Sequence, residues 1–97
     1  MKKKTGSLEL LAEALVESDY QFIQELIASR LQSGLSQEEV GIRMGVSQPS
    51  VAAFEAADSN PTMSTIRRYA LAVGVHISHE ITNLNNLGIS SRVKTSK

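Results

Sequence analysis

A chain of 97 residues with no cysteine and a formal net charge of zero has room for one domain with one core, and it excludes a disulfide scaffold or a thiolate metal site. The opening MKKK is followed by LELLAEALVES, whose Glu9, Glu13 and Glu17 break the apolar stretch a secretory signal needs. No run approaches the ~20 apolar residues of a membrane span, so a soluble, cytoplasmic protein is expected. Lysines open the chain, and Arg92, Lys94 and Lys97 close it. Between Gln21 and Ile81, Arg30, Arg43, Arg67 and Arg68 face six carboxylates. Any binding to nucleic acid must then rest on a few placed residues, because the broad basic footprint is missing.

In chain order, Leu8, Leu11, Ala12 and Leu15 recur at helical spacing after Ser7, which predicts a short amphipathic helix over about 7–17 with an acidic outer face. Ser18, three residues before Gln21, has the pattern of a capping box. It predicts a fresh helix whose stripe is Ile23, Leu26, Ile27 and Leu31 and whose end is Gly34. Ser36 and Glu39 form a second box. Val40 and Met44 then face one side of a helix of about two turns, stopping at Gly45. In QPSVAAFEAA, Val51 and Phe54 pair at i, i+3, and Pro49 fits only a first turn, where its missing N–H is not needed. The cap is Ser47 by side-chain chemistry or Gln48 by the constraint on a residue preceding proline.

DSNPT reads as a loop. Thr62 caps a fifth helix with Met63, Ile66, Ala70 and Val73 on one face, ended by Gly74. From Val75 the apolar residues alternate through Ile77 and Ile81, a period of two that predicts a short strand, with pairing to a second subunit as one way to complete it. The tail NNLGISSRVKTSK is polar and expected to be loose.

Counted from Gln37, Val40, Gly41, Met44, Gly45, Val46, Val51 and Phe54 stand at offsets 3, 4, 7, 8, 9, 14 and 17. This spacing resembles the helix-turn-helix of the Cro and phage-repressor (Xre-type) family. The resemblance runs from about Phe22 to Gly74, including LSQEEVGIRMGVSQPSVAAFE, the Asn60-Pro61 loop and TIRRYALAVG. Two helices crossing steeply need a small residue at their closest approach, Gly41. The turn needs a positive φ at Gly45, and Val40, Met44, Val46, Val51 and Phe54 fill the angle. Gly41 forfeits about 1 kcal/mol of helix propensity relative to alanine, which implies close contact.

The resemblance implies an all-α fold, a lambda-repressor-like five-helix DNA-binding domain, with an extra N-terminal helix and a candidate short C-terminal strand. It divides the chain into an arm and flanking helix at 1–17, the helix-turn-helix domain at 18–74, and strand and tail at 75–97. It also implies a dimeric repressor on a pseudo-palindromic operator in double-stranded DNA. Gln48 would read a base edge, with Pro49, Ser50 and Ala53 facing the major groove. Gln37, Arg43, Ser47, Asn60, Thr62 and Arg68 would hold the DNA backbone. Better-known repressors often carry longer polar side chains where this chain has Pro49, Ala52 and Ala53, so contact with a thymine methyl would replace hydrogen bonds there.

The ending TIRRYALAVGVHISHEI resembles HigA-type antitoxins, which implies an alternative: a protein that binds and neutralises a small toxin and represses its own operon. Leu8, Leu11 and Leu15 are a candidate patch for such a partner or for another subunit. Arg30 and Arg43 read equally as solvent-facing charges. His76 and His79 on a strand would lie on opposite faces with no third ligand in view, and no serine sits in a nucleophile elbow. No cofactor, no metal and no enzymatic activity are expected.

Overall fold

The computed structural model describes residues 6–84 and, as backbone, residues 90–95. Four helices and one hairpin follow in order: α1 Ser7–Gln32, α2 Gln37–Met44, α3 Gln48–Glu55, α4 Met63–Val73, β1 His79–Leu84 and β2 Ser90–Thr95. The all-α helix-turn-helix architecture is present, with the short C-terminal strand.

The first two expected helices are one. α1 runs unbroken for 26 residues, because no glycine or proline lies between Ser7 and Gln32 and mid-helix serine and aspartate each forfeit only a few tenths of a kcal/mol. The Gln21 amide donates to the Glu17 carboxylate one turn back, at 2.7 Å, instead of capping at Ser18. The helix starts where Glu9 accepts from the Gly6 amide at 2.7 Å. It ends at Ser33 and Gly34, with the Leu35 N–H closing on the Arg30 carbonyl.

The core gathers Leu26, Val40, Met44, Val51, Phe54, Tyr69, Ala72 and Val73, with Phe22, Ile23, Val46, Ile66, Val75 and Ile77 packed at its margin. Each large apolar side chain fully buried contributes roughly 1.5–3 kcal/mol. Two details differ from the expected faces. Leu31 and Met63 are exposed, and the inward stripe of α1 is Phe22, Leu26 and Arg30, spaced by four. Tyr69 is fully buried and stacks on Phe54 with centroids 4.4 Å apart.

Arg30, for which a solvent-facing charge was one of two equal readings, is 8% exposed. The strand also starts later than its alternation suggests. Val75 and Ile77 belong to no strand and pack on the core, while His76 and Ser78 are exposed, so their period of two reports one-sided burial. β1 begins at His79, leaving His76 before it.

β1 pairs antiparallel with β2 of the same chain, Ile81 opposite Val93, which supplies within the chain the partner strand that a second subunit was one way to provide. Of the tail expected to be loose, 90–95 form that strand. Residues 85–89 and 96–97, like the lysines at 2–4, lie outside the described residues. No helix among the described residues is long and apolar enough to cross a membrane.

Candidate nucleic-acid interface

α2 ends and α3 begins within three residues. Gly45 takes φ +75°, a left-handed conformation that glycine adopts without a Cβ penalty. The next amide, Val46 N–H, returns to the Gly41 carbonyl at 2.9 Å. At Gly41 the two segments nearly touch: a Cβ there would stand 2.8 Å from the Val46 carbonyl oxygen, inside any real contact. The small residue and the positive φ therefore do separate jobs, close approach at 41 and change of direction at 45.

Ser47 is the cap of α3. Its hydroxyl accepts from the Ser50 amide at 3.2 Å and lies 2.9 Å from the Ser50 hydroxyl, while Pro49 occupies the first turn, where no N–H is required. Gln48, Pro49, Ser50 and Ala53 are all exposed, and the buried residues of α3 are Val51 and Phe54 on its other side. The amino-terminal tip of α3 thus faces outward, with its unpaired backbone N–H groups forming the positive end of the helix.

Behind that tip runs a chain of hydrogen bonds. Gln48 Nε2 donates to Gln37 Oε1 at 2.6 Å, and Gln37 Nε2 donates to Glu55 Oε1 at 2.9 Å. Glu55 also accepts from Arg30 Nε at 2.6 Å, from a second Arg30 nitrogen at 3.0 Å and from the Tyr69 hydroxyl at 2.6 Å. A third bond from Arg30 reaches the Leu35 carbonyl at 2.8 Å. The Arg30 and Glu55 side chains are only 10% and 7% exposed.

Burial pushes the Glu55 carboxyl upward, yet the bonds from Arg30, Tyr69 and Gln37 outweigh it and hold the group below the usual carboxylate range. Burial and the neighbouring carboxylate push the Tyr69 phenol far upward. The hydrogen bond to Glu55 raises Arg30 further. Glu55 is ionised and can only accept.

That single fact orients two amides. Facing a carboxylate, Gln37 must present its NH2 group. Its carbonyl oxygen then faces Gln48, which must answer with its own NH2. Gln48 keeps its oxygen and one N–H for a ligand, an acceptor beside a donor, and Gln37 keeps one N–H.

The other candidates are scattered around this centre. Thr62 caps α4 by accepting from the Thr65 amide at 3.1 Å, and Asn60 is exposed in the loop before it. Arg43 donates to the Ala72 carbonyl at 2.8 Å and Arg68 to the Met44 carbonyl at 2.7 Å. The two arginines tie the carboxyl ends of α2 and α4 together, where positive charge is favoured. Both remain exposed with further N–H groups available.

Sequence reasoning missed Glu55 and Tyr69 and left Arg30 open, a solvent-facing charge being one of its two readings. A usable signal existed in the i, i+4, i+8 position of Arg30 on the Phe22–Leu26 stripe. A charge on an apolar face demands a buried partner.

A family model described as helix-turn-helix matches residues 26–79. The chain is 43% identical over 72 residues to antitoxin HigA1 in two strains of Mycobacterium tuberculosis, covering 74% of this chain and 45% of the relative. It is 38% identical over 56 residues to an uncharacterized HTH-type transcriptional regulator of Haemophilus influenzae, covering 58% and 57%. The chain therefore spans less than half the length of the antitoxin relatives and somewhat over half that of the regulator. No solved structure gives a significant match.

Proposed function

Because this chain belongs to the helix-turn-helix family, we propose that it is a sequence-specific DNA-binding transcriptional regulator acting as a dimeric repressor. The observation that carries this reading is the exposed tip of α3 with the Gln48 amide held in one orientation. An acceptor beside a donor matches the N6 and N7 edge of adenine in the major groove, a contact worth about 1–3 kcal/mol of discrimination. Pro49, Ser50 and Ala53 are short, letting the helix approach, and the apolar ones suit a thymine methyl.

Gln37 offers its remaining N–H to a phosphate, and Arg43, Ser47, Asn60, Thr62 and Arg68 supply further backbone contacts that set register without reading sequence. One such module buries little surface, so two copies act together on half-sites about 34 Å apart.

Selection of sites from random duplex DNA, followed by titration of the winning site against salt, tests the reading. An enriched palindromic site whose log affinity falls linearly with log salt is expected. No enrichment, or an affinity indifferent to salt, overturns it.

A second reading is favoured by α1. From Gly6 to Tyr20 every residue is exposed, including Leu8, Leu11 and Leu15, beside a stripe of Glu9, Glu13 and Glu17 spaced by four. The free half of the helix leads to a groove lined by Val16, Tyr20, Ile23, Pro61, Met63 and Ile66. A leucine face rimmed with carboxylates suits a basic protein. Together with the antitoxin relative, it supports neutralisation of a small toxin combined with control of its operon. Co-expression with a small basic ribonuclease-like protein encoded beside this chain tests it: a stable complex that Leu11→Asp and Leu15→Asp dissolve is expected, and no complex rejects it.

A further inference from the structure

A groove of about 680 Å³ runs between α1 and the segment that joins α3 to α4, inside the range of ~300–1,000 Å³ typical of small-molecule sites. Val16, Tyr20 and Met63 line it and are 44–69% exposed, together with the half-buried Phe22, Ile23 and Ile66. Sites of this size are lined mostly by apolar and aromatic side chains with a few polar groups that choose the ligand. The groove is separate from the leucine face. At 100° per residue, Val16, Tyr20 and Ile23 lie roughly a third of a turn around α1 from Leu8, Leu11 and Leu15, and further along it.

Its charge has one sign. Glu17 and Asp19 line the groove, and among the described residues no lysine, arginine or histidine does. Asp58 stands between the lining residues Ala57 and Ser59, and residues 6–20 contain four carboxylates and no basic residue. Arg67, the neighbour of Ile66 in α4, points about 100° away from it. Glu17 accepts from Gln21 through one oxygen at 2.7 Å and keeps the other for a ligand. The faces of Tyr20 and Phe22 add attraction for positive charge, stronger where water is displaced. An anion is repelled here, and a neutral apolar body gains nothing from the carboxylates. A cation with an apolar body uses both parts of the lining.

We propose that this groove is an effector site for a small organic cation, an ammonium or phosphonium group on an apolar body. Asn60 and Pro61 also line it, directly before the Thr62 cap of α4. An occupant therefore bridges α1 and the loop assigned above to the DNA backbone, and cation and DNA alter each other's affinity by the same factor. The effector role rests on that DNA reading, whereas the site itself does not.

Methyl and amide NMR spectra of the full chain, titrated with tetraphenylphosphonium and in parallel with tetraphenylborate, test the proposal, because the two probes share a shape and differ in sign. The phosphonium should shift Val16, Ile23, Met63 and Ile66 saturably below about 1 mM, and the borate should bind roughly fivefold more weakly or worse. The double variant Glu17→Gln, Asp19→Asn should weaken the phosphonium roughly threefold or more with unchanged thermal unfolding, while Leu11→Asp and Leu15→Asp leave it unaffected. Saturation should change affinity for the selected DNA site roughly fivefold or more, an effect that the double variant reduces. No shift up to about 1 mM, equal binding of both probes, or loss of binding in the leucine variants overturns the site. Cation binding without any change in DNA affinity overturns the effector role, and cation binding by a chain that binds no DNA supports the site and removes the regulator reading alone.

Discussion

Replacing Glu55 by glutamine separates two consequences of one buried carboxylate. The substitution keeps shape and removes charge, leaving the Arg30 guanidinium, 8% exposed, without its counter-ion. Removing one partner of a buried pair costs about 3–5 kcal/mol. At the lower end this is a fall in Tm of roughly 12–24 °C for a domain of this size. Out of the about 5–15 kcal/mol of a small domain, a loss at that lower end leaves the variant folded at room temperature.

The second consequence is directional. Four donors converge on the two carboxylate oxygens. A glutamine NH2 facing Gln37 forces that amide to turn over and Gln48 to follow. Gln48 would then present a donor where the N6 group of adenine also donates. The preference for adenine should fall by about 1–3 kcal/mol, or roughly 5- to 150-fold. Urea unfolding reads the first effect, and site selection with the purified variant reads the second.

The double variant Arg30→Met, Glu55→Gln controls for the stranded charge. It should recover much of the stability while retaining the altered base preference. Wild-type stability in Glu55→Gln would refute the buried pair. Because the new NH2 can instead face the Tyr69 hydroxyl, which can accept it, an unchanged base preference refutes the amide relay only where a structure of the folded variant shows the NH2 turned toward Gln37.

Gly41→Ala should cost roughly 1–3 kcal/mol by urea denaturation, because the new Cβ meets backbone, the Val46 carbonyl at 2.8 Å. A neutral effect would mean that the corner is more compliant than its contacts imply. Gln48→Ala should lower discrimination between the selected site and random DNA by about 1–3 kcal/mol with unaltered unfolding, and equal loss on both DNAs would show that Gln48 reads no base.

The Glu55 carboxyl lies lower in the folded chain than in the unfolded one. Its stabilisation is therefore complete above the unfolded value of about 4.3 and is lost as pH falls through the lower folded value. Urea midpoints should hold from neutrality to about pH 5 and drop below roughly pH 4.3, and Glu55→Gln should show a shallower acid limb. An identical limb in both proteins would place the acid sensitivity elsewhere.

What the amino-acid sequence determined by itself was local. Ser36, Ser47 and Thr62 each accept from an amide three residues on. Gly45 supplies a positive φ and Gly41 a missing Cβ. These features depend on neighbours within one helical turn or one corner, so residue type and spacing are enough to identify them, and with them the helix-turn-helix and the outward tip of α3.

The tertiary structure decided what depends on distant partners. Arg30 and Glu55 lie 25 positions apart, and Tyr69 meets Glu55 across 14. Nothing in the immediate neighbourhood of any of the three states that they share a site. Ser18 offered a cap that the chain did not use, since a cap signal only competes with continued helix and does not forbid it. The alternation after Val75 was legible, but whether each residue faced the core or a partner strand depended on where α4 placed it. A side chain's propensity is its own, whereas its burial and its partner are set by the packing of the whole chain.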